Sequence, residues 1–177
     1  QPPHGIDLGP LEPRLPEVLR TPTGRIDLAG DAFLADLPRL EAVLDRPIPE
    51  AVLVGRRDLR SNNSWMHNIG VLVKGKPRCT LHVNPIDAER WGLADGDVAS
   101  VTGRVGSLDA PVEVTADVRP GVVSLPHGWG HDAVGARMDV ARAHAGVNAN
   151  LLSDEQVLDP VSGNAVLNGI PVTVVRS

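Results

Sequence analysis

Tyrosine is absent from this chain, and phenylalanine and cysteine occur once each, as Phe33 and Cys79. With Trp65, Trp91 and Trp129 as the other aromatics, any core has to be aliphatic. A single cysteine excludes an internal disulfide, and it excludes a zinc or iron–sulfur site built from this chain's cysteines alone. No apolar run reaches the length of a membrane-crossing helix, and nothing at the N-terminus resembles a signal peptide, so the chain is expected in the cytoplasm. Its start at Gln1 reads as processing, or as a cut from something longer. There is no phosphate-binding P-loop, no strand–GxGxxG–helix unit and no Gly-x-Ser-x-Gly elbow. No pair of carboxylates stands out as an acid/base couple, so no reaction is proposed for the chain alone. Charge of one sign is not concentrated either. The net charge is −5 with acids and bases interspersed, which disfavours a nucleic-acid partner. No membrane partner and no defined oligomer are expected.

What the chain has instead is turn-forming residues, with 18 glycines and 16 prolines in 177 residues. Residues 1–50 carry Pro2, Pro3, Pro10, Pro13, Pro16 and Pro22, which favour extended chain. Phe33, Leu34, Leu37, Leu40, Val43 and Leu44 then recur at helical spacing, with Asp31 as a cap and Pro38 as an interruption. This predicts one short or broken helix inside a linker covering residues 1–50, which wraps over another domain. From residue 51 the pattern becomes short strands over 51–54, 79–83, 98–102, 112–115, 122–125 and 170–175. Asn84-Pro85-Ile86-Asp87 reads as a capped helix start ended by Gly92. A helical turn is expected over Ala136–His144. Strands and turns of this kind predict a mainly β domain over 51–177, a barrel or sandwich. A barrel is favoured because the helix after Val83 sits between strands as a crossover.

Three segments are rich enough in polar groups to hold a ligand. The first runs from Arg56 and Arg57 through Arg60, Ser61, Asn62, Asn63, Ser64, Trp65, Met66 and His67 to Asn68, directly after a strand. Clustered arginines suit one phosphate group, and Ser and Asn fix orientation. The same inventory also suits a loop that satisfies itself, and both readings stay open. The second is Pro126-His127-Gly128-Trp129-Gly130-His131. Histidines four apart suggest a helical metal pair, but the glycines disfavour a helix and no third ligand is near, so no metal is assigned. Glycines around Trp129 instead let backbone approach a flat ligand, or make Trp129 a core plug. The third, Val147-Asn148-Ala149-Asn150-Leu151-Leu152, either reads the edge of an amide-like heterocycle or forms a turn with local Asx bonds, and the turn is favoured.

Leu59 to Asn68 resembles the opening motif of the molybdopterin dinucleotide-binding domain. That domain closes the enzymes of the formate dehydrogenase, nitrate reductase and dimethyl sulfoxide reductase superfamily. Asn84-Pro85-Ile86-Asp87-Ala88, Gly92 to Val98, Arg119 to Val123, Pro126 to His131, Val147 to Leu152 and Gly169 to Val172 follow in the family's order. The closest flavour is that of bacterial formate-dehydrogenase-like members. The resemblance implies a six-stranded double-psi β-barrel with small crossover helices. It implies a domain that holds part of a bis-molybdopterin guanine dinucleotide, with molybdenum or tungsten, a cofactor expected to be absent from the isolated fragment. Upstream domains of a parent enzyme would supply the metal ligand and the clusters. Carried over, Arg60, Ser61, Asn62, Asn63, Trp65 and His67 would line the pterin and phosphate region. His127, Trp129 and His131 would share that face, and Asn148 and Asn150 would meet the cofactor's polar end. Cys79 is read as core within a strand. The rival reading is a free-standing double-psi barrel that binds a peptide or protein. A self-processing decarboxylase barrel is disfavoured, because its Gly-Ser junction, here Gly106-Ser107, lies in a turn and has no tyrosine before it.

Overall fold

The computed structural model describes residues 2–177. The chain forms two compact units, Gln1–Arg46 and Pro47–Ser177. The first unit holds helices α1 (Asp31–Leu34) and α2 (Leu37–Leu44), neither with a buried residue. The broken helix is therefore two helices. Pro38 falls in the first turn of α2, where its missing N–H breaks no helical bond. Asp31 is not the cap: Gly30 takes that position without a side-chain bond, and Asp31 lies in the first turn.

The second unit is a closed barrel in the order β1-β5-β2-β4-β3-β6. The strands are β1 (Ala51–Arg56), β2 (Leu81–Val83), β3 (Val98–Thr102), β4 (Ser107–Val114), β5 (Val122–Pro126) and β6 (Ile170–Arg176). Three short helices, α3 (Gly70–Val73), α4 (Pro85–Trp91) and α5 (Asp139–Ala143), lie in the connections. β1 runs parallel to β5, and β2 parallel to β4, while the remaining pairs are antiparallel. Two parallel pairs reached by crossing connections make this a double-psi barrel, as the resemblance implied.

Inward and outward side chains alternate in β3 and along most of β4, whereas β5 is buried from Val123 to Pro126. Leu108, Ala110 and Val112 of β4 point inward between exposed neighbours, and Ala99 and Val101 of β3 meet them. Leu53, Leu81, Val83, Val123, Leu125, Val172 and Val174 complete an aliphatic core without tyrosine or phenylalanine. Each buried Val or Leu contributes about 1.5–3 kcal/mol relative to exposure.

Of the six expected strands only β3 keeps its limits; β1, β5 and β6 run one or two residues further, and β2 and β4 start elsewhere. β2 begins at Leu81, and Cys79 lies just before it, buried as core. β4 begins at Ser107, so the Gly106-Ser107 junction opens a strand. The helical turn expected over 136–144 is α5.

The crossover helix α4 is tied down by its capping residue. Asn84 Oδ1 accepts from Ile86 N at 2.9 Å, and Asn84 Nδ2 donates to Val118 O at 2.7 Å. Buried Asp87 accepts from Gly121 N at 2.7 Å, which joins the helix to the turn before β5. Replacing Asn84 by Ala removes both the cap and the link and is expected to cost about 2 kcal/mol. Asn84→Asp keeps the cap and loses only the donor, so its urea midpoint should lie between those of wild type and Asn84→Ala.

Candidate functional site

The parallel pairing of β1 and β5 places Arg56 opposite Pro126. The two loops that leave these strand ends, 57–69 and 127–138, therefore start side by side at one edge of the barrel. Loops at strand ends are where backbone is free to serve a ligand. Arg56 itself points back into the barrel wall. Its guanidinium donates to Ser124 O at 2.6 Å and to Thr80 O at 2.7 Å, bracing β5 and the start of β2.

The loops interlock through a buried polar chain. His67 Nε2 lies 2.7 Å from Ser61 Oγ, and His67 Nδ1 lies 2.7 Å from His131 Nε2. The Trp129 indole stacks on His67 with centroids 3.9 Å apart. His67 is 1% exposed and Trp129 7%. Burial pushes the His67 imidazole below the ordinary histidine pKa, with the neighbouring His131 as the next cause. Burial lowers His131 as well. Both rings are thus held neutral, and a neutral pair bonds with one ring nitrogen donating and the other accepting.

Glycine allows the close approach. Gly128 has φ +88°, and a Cβ there would stand 2.2 Å from the Asn63 carbonyl oxygen. Across the gap, Asn62 and Asn63 turn the chain with φ values of 42° and 63°, a region asparagine tolerates better than most residues. On the other side of the glycine loop, Gly130 N donates to Ala145 O at 2.8 Å. Cys79 Sγ accepts from Val147 N at 3.3 Å, which fixes the root of the third segment.

A cleft of about 340 Å³ opens at this edge, lined among others by Arg57, His127, Asn150, Ser153 and Asn168. Asn63 Oδ1 accepts from Arg57 Nη1 at 2.6 Å and from His127 Nε2 at 3.0 Å. One asparagine therefore holds a guanidinium and an imidazole at the cleft.

The expected residues divide into two sets. Arg60, Asn62, Asn63 and Trp65 are exposed, Trp65 by 82%, and His127 and Asn150 reach the cleft. Ser61, His67, Trp129 and His131 are buried, so the common face expected for His127, Trp129 and His131 is not what the structure holds. These four join the loops from behind. Asn148 Oδ1 accepts from Asn150 N at 3.0 Å, the local Asx bond that its spacing also suggested. Arg57, Ser153 and Asn168 were not picked out as site residues. Arg57 had a signal in the arginine cluster. Asn168 had none beyond a turn before Gly169, yet its Oδ1 accepts from Gly55 N at 2.7 Å, a bond that ties it to β1 at the cleft. Among the described residues no group of three or more His, Cys, Asp or Glu could hold a metal ion, and no helix is long and apolar enough to cross a membrane.

A double-psi barrel with three polar loops gathered on one edge defines a ligand-holding domain. Residues 52–171 match the family model described as "Molydopterin dinucleotide binding domain", and the chain belongs to that family. A tetrathionate reductase polypeptide from Salmonella typhimurium is 32% identical over 57% of this chain and 12% of its own length. The molybdopterin-containing subunit of arsenate respiratory reductase from Chrysiogenes arsenatis is 31% identical over 66% of this chain and 14% of its own length. The chain thus corresponds to a small part of these relatives. The structure of acetylene hydratase from Pelobacter acetylenicus shares the fold, with a TM-score of 0.65 and 21% identity over 89% of this chain and 24% of that one.

Two outcomes follow from the interlocked loops. The unfolded chain protonates its histidines near the ordinary value of 6.5, whereas buried His67 and His131 take protons only at lower pH. Stability should therefore be unaffected above that value and fall as pH drops through it, until the lowered folded values are reached. Urea unfolding from pH 7.5 to 5 should show this fall, and His131→Phe should flatten it. An unchanged slope in the variant would contradict the assignment. Gly128→Ala should destabilise more than Gly135→Ala. Both glycines have positive φ, at a cost of about 1–2 kcal/mol for alanine, but Gly135 has nothing within 4 Å of its missing Cβ.

Proposed function

We propose that this chain is the cofactor-holding part of a larger molybdenum or tungsten oxidoreductase. In this reading it grips one portion of a bis-molybdopterin guanine dinucleotide and performs no redox turnover alone. The observation that carries the reading is the pairing of Arg57 and His127 on Asn63 at the mouth of the cleft. The donor set fits the group. Arg57 commits one N–H to Asn63 and keeps the rest of its planar fork for phosphate oxygens, and Arg60 stands exposed on the same loop. Asn62, Asn150 and Asn168 carry amides, which can both donate to and accept from the edge of a pterin or guanine. Ser61, His67, Trp129 and His131 act as positioning residues in this reading, holding those donors at fixed separations. When bound, the cofactor supplies the electron-transfer chemistry through its metal.

The relatives are named for different substrates, tetrathionate and arsenate among them. What this chain shares with them is a stretch that covers 12–14% of their length, so we assign substrate choice, including the formate-dehydrogenase flavour of the sequence, to the rest of the parent enzyme. The exposed Leu59 and Trp65 on the cofactor loop are assigned to contact with those upstream domains.

In the full-length parent, Arg57→Ala, Arg60→Ala, Asn62→Ala and Asn150→Ala should each reduce pterin and metal content per protein. Arg90→Ala, at the opposite end of β1 where Arg90 pairs with Glu50, should load normally. Normal loading in all four site variants would overturn the site. The isolated 177-residue chain should not oxidise formate or reduce nitrate with artificial electron carriers.

A further inference from the structure

The amide of Asn63 fixes more than the spacing of its two partners. Arg57 Nη1 stands 2.6 Å from one end of it, and a guanidinium only donates, so that end is the oxygen. An amide nitrogen there would set two donors against each other. The same oxygen lies 3.0 Å from His127 Nε2, and an amide oxygen only accepts, so Nε2 carries a proton. In neutral His127 the bare nitrogen is therefore Nδ1.

Nδ1 can change its state at little cost. Among the described residues it has no partner, and the unpartnered side-chain nitrogens that are buried are those of Arg78 and Trp129, so Nδ1 is open to solvent. A proton added at Nδ1 leaves the bond from Nε2 to Asn63 in place. His127 thus passes from neutral to charged while the two loops stay joined. Histidine is the side chain whose charge ordinarily changes near neutral pH.

The surroundings give that charge an effect. The ionisable side chains lining the cleft are Arg56, Arg57 and His127, and no carboxylate lines it, although the whole chain carries a net charge of −5. Arg56 comes from β1 and Arg57 from the loop after it, whereas β5, the turn over Ala149–Leu152 and the segment before β6 add neutral groups. The other histidines stand elsewhere. His67 and His131 are buried, His82 faces Glu113, His144 lines a different cavity, and His4 belongs to the first unit. An imidazolium at the wall attracts an anion in the cleft whichever way its N–H points, and the anion in turn favours the charged form.

We propose that the cleft takes up a proton on His127 Nδ1 when it binds a pyrophosphate. This uptake rests on the cofactor reading for the identity of the anion, and it makes the grip on the cofactor firmer as pH falls.

Diguanosine 5′-pyrophosphate is a suitable probe. Its pyrophosphate is a diester, so its own charge is constant from about pH 6 to 8, a range that brackets the ordinary histidine value. Calorimetric titration of the 177-residue chain should show affinity rising about fivefold from pH 8 to pH 6, the low end of coupling between linked sites, as suits a solvent-screened charge. Heats in buffers of different ionisation enthalpy should show protons taken up on binding. Long-range ¹H–¹⁵N spectra should show His127 protonated on Nε2 alone at pH 8, and on both nitrogens in the complex at pH 6. His127→Gln, which still offers Asn63 a donor, should bind without this pH dependence. The wild-type proton uptake stands as a test even if that variant folds poorly. Binding with no proton uptake, or a neutral His127 protonated on Nδ1, would overturn the proposal and leave the cofactor reading intact. No binding at any pH would overturn both.

Discussion

The parallel pairing of β1 with β5 is the constraint on which the rest of the candidate site depends. It sets Arg56 beside Pro126, and so it decides that the loop carrying Asn63 and the loop carrying His127 leave the barrel as neighbours. Little regular structure holds either loop. Their geometry comes instead from the strands at their roots and from a few short contacts between them. The Arg56 guanidinium reinforces this arrangement from inside by joining two stretches of backbone, one at Ser124 and the other at Arg78 and Thr80.

Burial gives the site a layered character. Two of the three histidines expected at the ligand, His67 and His131, are bonded to each other, while Arg57, not among the expected site residues, stands at the cleft with His127. This is the arrangement expected of a domain that holds a cofactor whose chemistry lies elsewhere. The Ser61–His67–His131 chain behind the surface is paired along its length and apolar neighbours keep water away from it, so the outer donors rest on a stiff backing. The indole N–H of Trp129 departs from that rule, with no hydrogen-bond partner among the described residues.

Much of the fold was legible in the sequence because its signals are local. The alternation in β3, the Asn84-Pro85 helix start and the glycine that ends α4 all act within a few residues, and each element formed as read. Where the reading fell short, tertiary pairing had overridden local preference. Ser107 to Pro111 has poor strand chemistry, yet Pro111 stands opposite Val98 in the antiparallel ladder and its stretch is strand throughout. The site was legible as an inventory, and its division of labour was not. Ser61, His67 and His131 look alike on paper as exposed polar loop residues. Their burial follows from the packing of two loops that the β1–β5 pairing brings together at one edge, which no spacing in the chain encodes. Asn168 was hidden for the same reason, since its partner Gly55 is far away in sequence.

The missing Cβ of Gly128 also bears on how the domain comes into being. Its backbone packs on Asn63 only after β1 has found β5 across a long stretch of intervening chain, and pairings between distant segments are slow to form. Neither loop holds half of the site in advance. In the proposed reading, the place for the cofactor therefore forms only once the barrel has closed.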